Sequence, residues 1–313
     1  MWLFIALLGN ALLAVVAVID KFILTKSVSK PIVFVFYSTI FVLPFFLLLP
    51  FGVRMPNVWT DYLIFSVSGL CFAFALWTLY IAIQKSEISH VGPLVGAAVP
   101  LFILFLSRIF LGEQLGVYAL LAVVVLIIGS LVISFDLNAT STGRTGLPAG
   151  EAGWHLGMSW GVLSGFLFAV SHVISKYAYD IYGFYSGFVL TKVPIGIFGA
   201  VLLFSPTIRA LFVKRERTQA DKTAGNKRLA LVAGDITLGV IAATLLQYAT
   251  ALGSVSLVNA LGGAQYALLI IFVAIISRFF PQIIKETFTK KEIIQKAVSV
   301  IIIGVGLVLL LVK

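Results

Sequence analysis

The side chains of this sequence that could do chemistry are the few polar residues that interrupt long apolar runs. Lys192 is the clearest of them, because it lies well inside the apolar run of residues 185–206. A charged side chain near the middle of a membrane helix costs roughly 2.5–3.5 kcal/mol on insertion scales, which makes it a functional candidate. Lys192 could lie on a substrate path or at a gate, or it could form a structural pair or snorkel to the surface. Pro194, two residues later, loosens the helix and frees backbone groups that need partners.

Two further ionisable side chains could move protons. His172 lies one helical turn before Lys176, and imidazole changes charge near neutral pH, as a proton relay requires. The alternative for His172 is a hydrogen-bonded packing residue. Asp235 lies near the start of the apolar run 229–252 and could carry a coupling proton. The alternative for Asp235 is a carboxylate at the level of the lipid headgroups.

Neutral polar and aromatic side chains inside apolar runs could line a path for a polar solute. The amides in such positions are Asn10, Gln247 and Gln265. They could bond a solute or bond across helices for about 0.6–2 kcal/mol. The aromatic candidates are Trp77, Tyr80 and Tyr248. Tyr80 and Tyr248 align between the two halves of the chain, and they could line a cavity or simply pack.

Motifs of known enzymes are absent from the sequence. There is no Walker loop, no His-Glu-x-x-His pair, no Gly-x-Ser-x-Gly elbow and only one cysteine, Cys71. No cluster of residues has the spacing of metal ligands. The sequence therefore predicts a protein that is not an enzyme, that uses no cofactor or metal, and that is not driven directly by ATP.

Composition shows what kind of elements position these residues. Hydrophobic residues make up 61% of the 313 and charged residues 11%, and mean hydropathy is +1.12. Soluble domains carry about 45–50% apolar and about 25% charged residues. Continuous apolar runs of the length that spans a bilayer predict helices rather than a membrane barrel. The sequence predicts an all-α integral membrane protein with ten transmembrane helices, at residues 2–24, 32–51, 62–83, 91–111, 117–135, 156–176, 185–206, 229–252, 257–279 and 297–312.

The two halves of the chain resemble each other in outline. Residues 14–22 and 169–177 share five of nine positions, and Ser107-Arg108 recurs as Ser277-Arg278. Residues 122–129 track residues 297–304 in the same order. Because each half has five helices, an odd number, the second half must enter the membrane from the opposite side. The sequence predicts two inverted five-helix repeats, at residues 1–135 and 156–313, joined by a flexible linker at 136–155.

Residues 82–133 carry a pattern that resembles the EamA-type transporters of the drug/metabolite transporter superfamily. The residues that carry it are Ser86-Glu87-Ile88-Ser89, Pro93, Pro100-Leu101, Leu111-Gly112-Glu113-Gln114-Leu115 and Gly129. In the second half, residues 280–286 depart from the Leu-Gly-Glu pattern. The resemblance implies an exporter of amino acids, metabolites or drugs in a bacterial or archaeal plasma membrane, with protons as the coupling ion.

From these observations we expect a secondary transporter, with a small-molecule substrate and the lipid bilayer as partners and with an open oligomeric state. The alternatives are a lipid-carrier flippase, in which Lys192 meets a phosphate, and a scaffold or receptor that transports nothing. A nucleic-acid partner is not expected, since basic residues follow one membrane face. Only Arg54, Arg108, Lys176 and Lys313 fall on the other face, so the positive-inside rule places both termini outside. Members of the family more often keep both termini inside.

Overall fold

The computed structural model of the chain describes residues 1–23, 31–85, 88–134, 151–210, 219–279 and 290–311. Within these ranges the secondary structure is helical, without β-strands. The helices are α1 Trp2–Ile23, α2 Pro31–Ile40, α3 Trp59–Lys85, α4 Ile88–Phe110, α5 Val117–Ser134, α6 Glu151–Leu202, α7 Pro206–Arg209, α8 Gln219–Leu252, α9 Val255–Ala260, α10 Gly262–Phe279 and α11 Lys290–Leu309. The predicted all-α class is confirmed for the part of the chain that is described.

The predicted membrane segments coincide with helices. Five helical stretches of the described chain are long and apolar enough to cross a membrane, and one of them, Gly157–Leu202, has the length of two crossings. Four shorter apolar helices supply the rest, namely Leu94–Phe110, Val117–Val132, Thr237–Leu252 and Ile293–Leu309. Among the described residues these stretches make up ten apolar segments, the number that the sequence predicts.

The boundary between the sixth and seventh segments differs from the expected loop. Helix α6 continues from Glu151 to Leu202 and is interrupted only at Gly183, where φ is 76° and ψ is 164°. This conformation is essentially restricted to glycine, because a Cβ atom would clash with the backbone. We call the arms α6a (151–182) and α6b (184–202). The two arms are therefore connected by a single glycine in place of the expected loop. Residues 151–155, which the sequence places in the linker, are helical.

Two other predicted segments are each divided between two helical elements. Helix α2 ends at Ile40, and a 3-10 helix with Pro44 near its start follows at Leu43–Leu48. The ninth segment begins with the short helix α9, and Ser254 caps it by accepting a hydrogen bond from the Leu257 amide at 3.0 Å. Helix α10 then continues to Phe279.

Small residues let the helices approach closely. A Cβ atom on Gly165 would lie 2.7 Å from the Cβ of Ala98, and one on Gly161 would lie 3.1 Å from Leu94. The glycine stripe of α6a therefore packs against α4, as such stripes do in membranes, where van der Waals contact rather than water expulsion drives association. Elsewhere α3 also packs on α6, α1 packs on α8 and α10, and α5 packs on α11.

Several connections meet at one end of the bundle, which we call the Gly183 end. The Arg54 amide donates a hydrogen bond to Ser186 Oγ at 2.9 Å, just beyond Gly183. Trp2 lies beside Gly253, where a Cβ atom would be 2.8 Å from the indole ring. Tyr248, near the end of α8, packs on Phe184 just beyond Gly183. The N-terminus therefore lies at the Gly183 end, next to the C-terminal end of α8.

Candidate functional site

Lys192 occupies the middle of α6b and points into the protein. Its Nζ lies 5.3 Å from the centre of the Phe72 ring on α3 and 5.5 Å from the centre of the Phe188 ring one turn earlier. Both distances are within the range of about 6 Å for cation–π attraction. The side chain is surrounded by protein but keeps some accessible surface. Among the described residues no carboxylate lies within 4.0 Å of this ammonium.

His172 lies on α6a, on the other side of the same aromatic group. Its Nδ1–H donates a hydrogen bond to the Phe168 carbonyl at 2.7 Å. A carbonyl only accepts, so the proton of the neutral ring is on Nδ1, and Nε2 is left as an acceptor. The Phe168 ring meets Phe72 edge to face at 5.4 Å. His172 and Lys192 are thus joined through the rings of Phe168 and Phe72.

Aromatic residues continue the site from α6b to α8. Phe184 lies 5.3 Å from Phe188 and 4.9 Å from Tyr248, measured between ring centres. Phe184 also meets Tyr179 at 5.5 Å, and the Tyr179 hydroxyl donates a hydrogen bond to Gln247 Oε1 at 2.9 Å. Of the residues predicted from sequence, the structure therefore brings together Lys192, His172, Gln247 and Tyr248.

Buried hydroxyl groups surround this cluster and satisfy one another. Ser68 on α3 donates to the Ser171 carbonyl at 3.1 Å, and Ser175 donates to the same carbonyl at 2.8 Å. Thr191 donates to the Gly187 carbonyl at 2.8 Å. Hydroxyl groups that donate to partners inside the protein stabilise helix packing, and their hydrogens are not available to a solute. The serine bonds fix α3 against α6a, and the Thr191 bond stays within α6b.

Three predicted residues lie in other parts of the bundle. Trp77 and Tyr80 pack in a core formed by α2, α3 and α6b, where Tyr80 stacks on Phe34 with 5.1 Å between ring centres. Asn10 is 2% exposed, and its amide nitrogen donates to the Ala6 carbonyl of its own helix at 2.8 Å. The contacts described for these residues are ring and core packing and one hydrogen bond within α1, and a role in a solute path stays a prediction.

Gln265 and Asp235 also lie apart from Lys192. Gln265 is half-buried in the first turn of α10. Asp235 is 7% exposed on α8, and it precedes Gln247 by a helical rise of about 18 Å. Neither residue contacts the Lys192 cluster through any interaction among the described side chains, so both stay candidates for other steps.

The site contains aromatic residues that sequence reasoning missed, namely Phe72, Phe168, Tyr179, Phe184 and Phe188. A signal for two of them was present, because Phe184, Phe188 and Lys192 recur every four residues and so share a helix face. Phe168 precedes His172 by the same interval. No group of three or more potential metal ligands occurs among the described residues.

Comparison with known proteins agrees with this architecture. Residues 1–135 match the model of the EamA-like transporter family, which confirms the resemblance seen in the first half. No curated protein matches the chain. A solved crystal structure, described only as that of a protein, is 18% identical, with a TM-score of 0.63 over 98% of this chain and 96% of the other. At this identity the likeness concerns the fold alone, and it extends through both halves.

Proposed function

We propose that this chain, whose residues 1–135 match the EamA-like transporter family, moves small organic solutes across the membrane by alternating access. The solutes are metabolites, amino acids or amphipathic compounds, and the direction is export. One observation carries the proposal: the ammonium of Lys192 lies in the middle of a membrane helix, against Phe72 and Phe188, without a carboxylate partner among the described residues.

Energetic cost is the reason why this lysine points to transport. Cation–π attraction is worth about 0.5–2 kcal/mol per contact, and it offsets part of the cost of a charge at mid-helix. A lysine with only a structural role would be better served by an acidic partner, such as the one that Lys176 has in Asp180 of its own helix at 2.8 Å. In this proposal the positive charge of Lys192 gains its opposite charge when a solute enters the site.

Reciprocal packing supports the proposed inverted repeat. A Cβ atom on Gly129 would lie 2.6 Å from Ile303, and one on Gly306 would lie 2.8 Å from Leu126. Gly306 and Ile303 follow Gly129 and Leu126 by the same interval of 177 residues. Each contact is therefore the image of the other, and the crossing is antiparallel, as at a two-fold axis that relates inverted halves.

Two aligned tyrosines support the same arrangement. Tyr80 on α3 stacks on Phe34 of α2, and Tyr248 on α8 packs on Phe184 of α6b. The ring centres are 5.1 Å apart in the first pair and 4.9 Å apart in the second. The third helix of each half thus packs an aligned tyrosine against a phenylalanine of the second helix of that half, with the rings stacked in one pair and tilted in the other. The pairing of α3 with α6 likewise matches that of α8 with α1.

The energy source and membrane orientation are part of the proposal. Protons drive export, with His172 and Asp235 as the groups that could carry them, since imidazole and carboxylate side chains form the relays of many transporters. The protein lies in a plasma membrane with both termini outside, as its basic residues predict.

A screen followed by a flux assay tests transport itself. Purified protein is melted in the presence of amino acids, nucleosides, sugars, organic acids and cationic drugs, and each solute that raises the melting temperature is tested for counterflow in proteoliposomes. We expect at least one solute to exchange faster than in protein-free liposomes. Stabilising solutes that never exchange would contradict the proposal, and so would a panel without any stabilising solute.

A further inference from the structure

We infer that the Lys192 site takes a monocarboxylate with a flat apolar body, and that the solute carries no ammonium group of its own. This inference rests on the proposed function and narrows it to one class of substrate. It excludes the zwitterionic amino acids that the resemblance alone would allow. Its basis is the charge and the geometry of the residues around Lys192.

The charged groups around the site add up to one unmatched positive charge. Lys192 supplies it, and the residues that face it from α3 and α6 are the rings Phe72 and Phe188. Lys176, one turn beyond His172, is already paired with Asp180. One carboxylate neutralises the site, whereas a phosphate dianion would leave it negative. An amine would meet a like charge, and the ammonium of an amino acid would find no acidic partner among the described side chains.

The ammonium is also free to donate hydrogen bonds to a solute. A protonated lysine has three N–H donors, and none of them is bonded to an acceptor in the described part of the site. A carboxylate accepts two or more such bonds, which are stronger than neutral ones because both partners are charged. The ammonium therefore suits the anionic end of a solute.

The walls next to the ammonium favour an apolar and planar body. Phe72 and Phe188 flank Nζ at nearly equal distances, and Phe168 and Phe184 extend the aromatic surface on the two sides. Aromatic walls bind planar solutes by stacked and edge contacts, and phenylalanine rings supply no hydrogen-bond partners for a heavily hydroxylated solute. The hydroxyl groups around the site already have partners within the protein.

Matched ligands test this inference on the full-length protein in detergent. Binding of phenylacetate, phenylacetamide, phenethylamine, phenylalanine and phenyl phosphate is measured by calorimetry. We expect phenylacetate to bind at least tenfold more tightly than each of the others. Lys192→Met should abolish the preference, and Lys192→Arg should keep most of it. Lys176→Met is the matched control, because it removes a lysine of the same helix that has its own acidic partner, and it should leave the preference unchanged.

The outcomes separate this inference from the proposed function. Equal or tighter binding of the amide, the amine, phenylalanine or the phosphate overturns it, as does a preference that survives in Lys192→Met. No binding of phenylacetate at millimolar concentration overturns it too. If phenylacetate binds as expected but does not exchange in proteoliposomes, the inference stands and transport fails. If only an amine or an amino acid is exchanged, transport stands and the inference fails.

Discussion

Gly129 on α5 and Ile303 on α11 touch so closely that a Cβ atom on the glycine would lie 2.6 Å from Cγ1 of the isoleucine. The same Cβ atom would lie 3.3 Å from the backbone nitrogen of Ile303, so the neighbour cannot turn away by a change of rotamer alone. The reciprocal contact of Gly306 with Leu126 lies one turn away along both helices. Together the two contacts show that the backbones of α5 and α11 approach each other closely.

Substitution of Gly129 should therefore destabilise the protein. We expect Gly129→Leu to lower stability by about 1–3 kcal/mol, the usual cost of overpacking a tight interface. The measurement is thermal unfolding of the purified protein in detergent. Ile303→Ala, which makes room beside the glycine, should recover part of the loss in the double variant.

Gly304, the neighbour of Ile303 on the same helix, is the matched control. A Cβ atom there has no neighbour within 4 Å, so Gly304→Ala should be neutral or slightly stabilising. Equal melting temperatures for Gly129→Leu and the wild type would show that α5 and α11 do not pack in this way.

The break at Gly183 should not tolerate a side chain. Its φ of 76° and ψ of 164° suit only glycine, and we expect Gly183→Ala to cost about 1–3 kcal/mol or to change the angle between α6a and α6b. Gly234→Ala is the control, because a Cβ atom meets nothing there. Thermal unfolding and solute counterflow measure the two effects. A Gly183→Ala protein with the melting temperature and the counterflow rate of the wild type would show that Gly183 does not adopt this glycine-only conformation.

Glu113 links the α4–α5 connection of the first half to the start of α9 in the second half. Its carboxylate accepts a hydrogen bond from Ser256 Oγ, which lies 2.9 Å from Ser107 Oγ. Hydrogen bonds to charged groups contribute about 1.5–3 kcal/mol, so a double-mutant cycle of Glu113→Ala and Ser256→Ala should give a coupling energy of about 1–2 kcal/mol. Gln114→Ala, at an exposed neighbour, should show no coupling to Ser256. If the stability losses of Glu113→Ala and Ser256→Ala simply add in the double variant, the two residues do not interact.

Membrane orientation can be tested with single cysteines in a Cys71→Ser background. The excess of basic residues on one face predicts that this face is cytoplasmic. A cysteine at Asn57, which is exposed in the connection before α3, should react with a membrane-impermeant maleimide on intact cells. A cysteine at Thr223 should react only after permeabilisation. The opposite pattern would show that both termini are inside.

Much of the fold could be predicted from the sequence, because a membrane helix needs only a long apolar run and polar ends. The break at Gly183 could not, since nothing local distinguishes this glycine among the 27 of the chain. For α5 and α11, the sequence match and the proposed inverted repeat give different alignments. Sequence matching aligned Gly129 with Gly304, whereas the reciprocal contacts pair Gly129 with Gly306. Sequence identity between two aliphatic helices does not establish how the two repeats align, because side-chain packing determines which residues correspond.

The candidate site was only half predictable, for a related reason. Lys192, His172 and Gln247 stood out because polar groups in apolar helices are costly wherever they point. Phe72 did not, because its importance depends on α3 lying against α6, and many phenylalanines of the chain are exposed on the outside of the bundle instead. Trp77 and Tyr80 are predicted on the same helix, and their described contacts are with α2 and α6b.

The most direct test of the account is the initial rate of counterflow by Lys192→Met in proteoliposomes, measured with the solute that most stabilises the wild-type protein. The comparison includes Lys176→Met, with both variants reconstituted in equal amounts and melting near the wild-type temperature. The account predicts that Lys192→Met loses at least tenfold in rate, while Lys176→Met keeps a rate close to that of the wild type. Equal rates in Lys192→Met and the wild type would contradict a solute path through Lys192.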